Sequence, residues 1–409
     1  MVTSHMETLV IFMAILLIAI VSEPLAEKLR VPFTALLALI GFIGSELLIA
    51  IGIDTGLRWE AFNNLILHVF VPILVFESAF NMKARILLKN IFPVLFLAIP
   101  AMLFAAAVTG ISIYYAIGHP VGFPWVTALI CGVILSATDP VAVVALFKKL
   151  GAPDRLTVLL EGESLFNDAT AIVLFSVLTA IALQPNQSIS VTAVTSTFII
   201  NFCGGMLVGS ACAALANGLY HYLKSSIVRA VITVIFACTA FYVAEVVLHL
   251  SGIMAVLLAG LLMGENHRNN ATSTDSFTAK LWDFFAYCSN ALLFILAGVT
   301  ITWKMFESHW LAMAIGICAA IFARSMVIYG LLPISTGLCK GSPIPNSYRP
   351  VMLWGGLRGA VSLALALSIP LTVEGWYSAQ SITYGVVLFT LFVQTPFMPS
   401  LVKKTTADH

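Results

Sequence analysis

The sequence predicts an all-α polytopic membrane protein with thirteen transmembrane helices. Three observations carry this expectation. Hydrophobic residues make up 60% of the chain and charged residues 10%, where soluble domains carry about 25% charged residues. Apolar runs of roughly 20 residues, enough to cross about 30 Å of hydrocarbon, recur along the whole chain. The basic residues then sort by span end. Lys28, Arg30, Lys83, Arg85, Lys89, Lys148, Lys149, Arg155, Lys224, Arg229, Arg268, Lys280, Lys340, Arg349, Lys403 and Lys404 fall on one side. Arg58 and Lys304 fall on the other, and Arg324 and Arg358 lie inside spans. Cytoplasmic loops are enriched in Lys and Arg, so the N-terminus is expected outside and the C-terminus in the cytoplasm.

The spans are expected at 7–27, 32–53, 61–81, 90–117, 122–149, 155–183, 190–222, 226–248, 250–265, 277–301, 308–338, 348–370 and 376–402. Val2-Thr-Ser-His-Met6 reads as a cloning scar, residues 1–5, ahead of a native Met6. The apolar run Leu9 to Val21 lacks a basic leader and an Ala-x-Ala site, so it reads as a retained helix. Loops are short, so residues 6–404 form one membrane domain, with 405–409 a short cytoplasmic tail. The seven cysteines form no CxxC or Cys/His cluster and read as reduced, buried small hydrophobes. Neither a zinc site, a disulfide framework nor another cofactor is implied. The net charge of +1 argues against a nucleic-acid partner.

Thirteen spans divide into two six-helix units of opposite topology, helices 1–6 and 8–13, around a linker helix. Helix 5 then corresponds to helix 12. Helix-breaking segments at corresponding positions of such repeats point to a binding site. Helix 5 carries Ser136-Ala-Thr138-Asp139-Pro140. Pro140 has no N–H, so the Ser136 carbonyl loses its helical partner. In lipid that group must be satisfied or must line a cavity, and a cation is one candidate partner. Asp139 would offset the positive ends of the half-helices. Helix 12 carries Trp354-Gly-Gly-Leu-Arg358-Gly-Ala, whose glycines permit a break and whose Arg358 would compensate a negative half-helix end.

Helix 6 contains Glu161-Gly-Glu-Ser-Leu-Phe-Asn-Asp168, three carboxylates inside an apolar run. Each costs about 2.5–3.5 kcal/mol or more at bilayer depth unless protonated, paired or holding a cation. Helical spacing puts Ser164 and Asp168 on one face and Glu163 and Asn167 on an adjacent stripe. Ser164 and Asp168 thus offer a hydroxyl and a carboxylate to one ion, and Asn167 is placed to brace neighbouring backbone. Arg324 cannot shed its proton and needs an anion; Glu163 is its expected partner, with Arg358 the other candidate to pair with Glu163. Glu77, in Pro72-Ile-Leu-Val-Phe-Glu77-Ser78, is a ligand through water or a structural hydrogen-bonding residue. Glu161 lies towards the cytoplasmic entrance. Glu46 and Glu245 are expected near helix ends or contacts.

Thr138-Asp139-Pro140, Gly162-Glu-Ser-Leu-Phe-Asn-Asp168, Arg324 and Gly355-Gly-Leu-Arg358-Gly-Ala together resemble the monovalent cation/proton antiporters of the NhaP/NHE branch. The resemblance runs from helix 1 to helix 13. It implies a transporter rather than an enzyme, a thirteen-helix fold with crossed, partly unwound helices 5 and 12, and a homodimer. It also implies that Asp168 binds ion and proton, with Ser164 and the Thr138 backbone as further ligands to Na+. Asn167-Asp168 is similar to the electroneutral members, which exchange one cation for one proton. Alternating access would move a core of about 90–183 and 308–402 against a dimerising scaffold. The expectation is therefore Na+/H+ (or Li+/H+) exchange in a bacterial inner membrane, with pH homeostasis as its use and lipid as its surroundings. K+/H+ exchange on the same fold, a cation channel, and a proton-coupled organic-ion carrier are the alternatives. The large cytoplasmic regulatory tail of animal members is absent from this sequence.

Overall fold

Prolines, glycines and buried charges decide where these apolar helices start, bend and break. The computed structural model describes residues 2–29, 31–52, 65–117, 123–183, 191–220, 222–223, 225–270, 276–334 and 344–407. No strand occurs among them. The helices are α1 (Val2–Leu29), α2 (Phe33–Ala50), α3 (Val71–Asn81), α4 (Ala84–Lys89), α5 (Ile91–Phe96), α6 (Met102–Ala116), α7 (Trp125–Ser136), α8 (Val141–Leu150) and α9 (Asp154–Ala182). They continue with α10 (Val191–Tyr220), α11 (Ser226–Tyr242), α12 (Gly252–Asn270), α13 (Ser276–Thr300), α14 (Trp303–Ser325), α15 (Arg349–Trp354), α16 (Ala360–Leu367), α17 (Trp376–Phe389) and α18 (Thr395–Ala407). Pro32, Pro124 and Pro153 stand immediately before α2, α7 and α9, where a missing N–H is harmless and the fixed φ is helix-like. Gly151 ends α8 in the left-handed region at φ 68°.

Helix fills each of the thirteen expected stretches as far as they are described, and two are interrupted. The fifth breaks at 137–140 between α7 and α8, and the twelfth at 355–359 between α15 and α16. Others bend through a π-helical turn instead. One at Leu97–Ala101 contains Pro100, and one at Met326–Leu331 begins two residues after Arg324. Bounds also differ from expectation. α12 continues past 265 to carry His267 and Arg268, α14 starts at Trp303 rather than 308, and α1 begins at Val2, inside the expected scar. The first part of the third span, with Arg58, lies outside the described residues. Among those described, nine helices are long and apolar enough to cross a membrane. Together with exposed Leu207, Leu215 and Trp310, they make this an integral membrane protein.

Two packing groups emerge. α2 packs on α13, α12 on α3 and α10, and α11 on α12; separately, α6 packs on α7 and α14, α14 on α17, and α9 on α7. The groups meet where α9 touches α10 and α12, and where α13 touches α16. Polar contacts sort the helix ends into two sets. Lys83 pairs with Asp154 at 2.8 Å, and Arg85 and Arg268 both reach Glu265 at 3.2 Å. That joins the end of the third span, the start of the sixth and the end of the ninth. At the other end, the Trp303 amide donates to Glu46 at 3.0 Å and Thr127 donates to the Glu374 carbonyl at 2.7 Å. Those contacts join the end of the second span and the starts of the fifth, eleventh and thirteenth. An odd number of miscounted spans between these contacts would mix the two sets. Glu245 takes the N–H of Gly252 at 2.8 Å and so caps α12.

The cysteine expectation needs correction. Cys131 and Cys212 are buried, but Cys203, Cys238 and Cys318 are exposed on outer helix faces. A thiol is apolar enough to face hydrocarbon, so burial within the protein is not required of it. Glycine, by contrast, is required where helices touch backbone to backbone. A Cβ on Gly132 of α7 would run into the Ala106 carbonyl of α6, whereas one on Gly44 would meet nothing. Gly132→Val should therefore cost about 1–3 kcal/mol through overpacking. It should lower the detergent melting temperature, while Gly44→Val melts close to the parent; equal melting of both variants would contradict the packing.

Candidate functional site

The site is built on the two breaks, which cross and hydrogen-bond to each other. The Asp139 amide donates to the Leu357 carbonyl at 2.8 Å, across the crossing. Asp139 Oδ1 accepts from the Val141 amide and Oδ2 from the Ala360 amide, both at 3.1 Å. One carboxylate thus caps the positive N-terminal ends of α8 and α16 together. Gly359 makes this approach possible, since a Cβ there would collide with the Asp139 carboxylate.

The carbonyls freed by the breaks are met by side chains. Ser136 O, orphaned by Pro140, accepts from Asn167 Nδ2 at 2.9 Å. Thr138 O accepts from Ser164 Oγ at 2.6 Å. Ser362 Oγ lies 3.0 Å from Ile134 O and 3.4 Å from Ala137 O. On the other unwound segment of the crossing, Arg358 Nη1 donates to Gly356 O at 2.7 Å. Arg324 donates to Met352 O through Nε at 3.3 Å and Nη2 at 3.0 Å. Asn167 therefore braces the first break, and arginines compensate the second.

α9 separates its carboxylates by face. Glu163, 1% exposed, meets Arg324 through both oxygens: Nη1 donates to Oε1, and Nη2 to Oε2 at 3.0 Å. This fork neutralises a charge that burial would otherwise make prohibitive. Glu163 therefore pairs with Arg324 and not with Arg358. Asp168 sits on the adjacent stripe, 9% exposed. Its Oδ2 is 3.5 Å from Ser164 Oγ, and its Oδ1 has no hydrogen-bond partner among the described residues. Ser164 gives its only proton to Thr138 O, so the lone pairs of Oγ stay available beside Asp168.

Asp168 and Ser164 line a cavity of about 800 Å³ between the two packing groups. Its walls include Asp139 at the crossing, Glu77 and Asn81 on α3, Glu161 on α9, and Asp283 and Asn290 on α13. Lys83 and Asp154, both largely exposed, lie on its rim, so it opens at the end where the basic residues gather. Glu77 takes the Asn81 amide at 2.6 Å, and the same amide reaches Asp283 at 3.2 Å. Of the expected site residues, the structure gathers Asp168, Ser164, Thr138, Asn167 and Asp139 at one point. Glu77 stands on the opposite wall, and Glu163 and Arg324 form a separate pair behind. Thr390, whose Oγ1 accepts from the Arg358 amide at 3.2 Å, was not picked out from sequence, nor were Ser362, Asn81 and Asp283. Asp283 carried a signal, a carboxylate within an apolar run; the hydroxyl residues carried none.

A family model described as the transmembrane region of sodium/hydrogen exchangers matches residues 12–404. The Na(+)/H(+) antiporter ApNhaP of Aphanothece halophytica is 36% identical over 92% of this chain and 70% of its own length. The Na(+)/H(+) antiporter NhaP of Pseudomonas aeruginosa is 31% identical over 85% of this chain and 82% of its own. Among solved structures, the sodium proton antiporter MjNhaP1 of Methanocaldococcus jannaschii superposes with a TM-score of 0.82 over 98% of this chain and 99% of that one, at 20% identity. That likeness shows the same all-helical fold.

The Glu163–Arg324 fork makes a stability prediction. Arg324→Ala leaves a buried carboxylate without its partner and should cost about 3–5 kcal/mol. The variant should melt well below the parent, and adding Glu163→Gln should recover part of the loss. Normal melting of the single variant would remove the fork from its structural role.

Proposed function

The chain belongs to the sodium/hydrogen exchanger family, and we propose that it is a secondary active antiporter exchanging Na+ for H+ with both competing for Asp168. The observation that carries the reading is the buried Oδ1 of Asp168, unpartnered among the described residues, on the wall of an open cavity. Burial disfavours an uncompensated charge there, so the carboxylate holds either a proton or a cation. The other nearby acids are engaged. Asp139 caps two helices, and Glu163 is tied to Arg324.

In this reading Na+ descends the cavity past Glu161 and Glu77 and is held by Asp168, Ser164 Oγ and the Thr138 carbonyl. Hard monovalent cations take such oxygen ligands. Neutralised by one proton or one cation, the site is uncharged in both loaded forms, which makes exchange one-for-one and electroneutral. A tenfold proton gradient, worth about 1.4 kcal/mol, then sustains a tenfold Na+ gradient of the same orientation. If only a loaded site crosses, the core of 90–183 and 308–402 carries it past the scaffold as the access alternates. The cavity opening beside Lys83 and Asp154 supports an inward-facing state, with the basic ends cytoplasmic. Membrane lipid surrounds the exposed apolar faces, and a second copy of the chain is the expected partner.

Asp168→Asn keeps the shape and removes the titrating charge. It should abolish cation-dependent proton flux in proteoliposomes while leaving the protein folded. Pulses of Na+, Li+ and K+ in turn identify the cation, and undiminished exchange in the variant would sink the assignment. Ser164→Ala removes one ligand and one brace together. It should raise the half-saturating Na+ concentration by about tenfold or more, on the scale of one lost contact between a polar group and a charge. An unchanged cation dependence would exclude Ser164 from the ligand set.

A further inference from the structure

Arg358 is 4% exposed, and no carboxylate lies within ion-pairing distance of it among the described residues. Its Nη1 serves Gly356 O, but its Nε–H has no acceptor. A guanidinium cannot be neutralised by losing its proton, so the buried Nε–H needs a partner. Two more buried polar atoms near it are unmet: Asn167 Oδ1 and Gln394 Oε1. Asn167 is 1% exposed and Gln394 5%. The Asn167 amide cannot be turned to relieve this, because its Nδ2 is committed to the Ser136 carbonyl.

Two small cavities connect these atoms. One, about 10 Å³, is lined by Asn167, Ser136, Arg324 and Arg358. The other, about 20 Å³, is lined by Gln394, Thr390, Arg324 and Arg358. A single water needs about 10–15 Å³ by this measure and two to four polar partners. The unmet groups are two acceptors and one donor. An anion would be repelled by the two acceptors, and a cation by the guanidinium. Water both donates and accepts.

We infer that two buried water sites flank Arg358, one donating to Asn167 Oδ1 and the other to Gln394 Oε1. Asn167 holds the first break and Arg358 lies in the second, so the first water ties the two breaks to each other. The second lies between Arg358 and the π-helical turn Thr390–Gln394 that follows α17. Water then satisfies guanidinium donors that the Gly356 carbonyl leaves unmet, and Glu163 stays with Arg324. The inference does not depend on which cation is carried.

A cryo-EM map of the intact protein fine enough to show ordered water tests it directly. Density is expected in both cavities, about 3 Å from Asn167 Oδ1 and from Gln394 Oε1; empty cavities overturn the inference. The sign of a stability change gives a second test. If Gln394 Oε1 is bonded to water, Gln394→Leu removes that bond and lowers the melting temperature. If it is unmet, the same change removes a buried unsatisfied group. An unchanged or raised melting temperature therefore also overturns the inference.

Discussion

A backbone unwound inside a membrane must have every freed polar group met by protein, and the crossing of the two breaks is where this chain satisfies that constraint. The contact from the Asp139 amide to the Leu357 carbonyl locks one unwound segment to the other. Everything around it follows. Asp139 takes the two N-terminal half-helix ends, hydroxyls and an amide take the first set of carbonyls, and arginines take the second. The arrangement is symmetric in charge: an anion where helix ends are positive, cations where they are negative. Gly359 lets the two unwound segments approach closely enough for a single carboxylate to serve both.

The crossing also explains why a free carboxylate is tolerated nearby. Three acids lie close together at bilayer depth, and two have structural commitments. Asp168 is left with a hydroxyl at 3.5 Å and an open cavity. The frame around this one uncommitted acid is complete without it, since the freed helix ends and carbonyls are met by other residues. Ser164 couples frame to site because it braces Thr138 O and keeps lone pairs facing Asp168.

The fold class, the span positions and the location of the breaks were legible because each rests on local chemistry. Apolar run length sets a span, proline removes a particular N–H, and glycines flank Arg358. Helical periodicity likewise placed Glu163 and Asn167 on one stripe of α9 and Ser164 and Asp168 on the next. Span bounds at α12 and α14 were less legible, because amphipathic ends carrying His267, Arg268 or Trp303 extend a helix beyond its apolar run. Cys203, Cys238 and Cys318 were misjudged because an apolar residue has two destinations in a membrane protein, its interior and its lipid-facing exterior.

The sequence by itself determined that this chain crosses the membrane many times and that its buried charges concentrate at helices 5, 6, 11 and 12. Composition, spacing and the absence of an N–H in proline are properties of neighbouring residues. Only the tertiary structure decided which charges meet. Arg324 and Glu163 are far apart in sequence, and nothing local chooses Arg324 over Arg358 as the partner. The same holds for the double cap by Asp139, the service of Ser362 to the α7 carbonyls, and the cavity that ends at Asp168. Each depends on distances between helices from separate parts of the chain, which close helix packing sets and periodicity within one helix cannot.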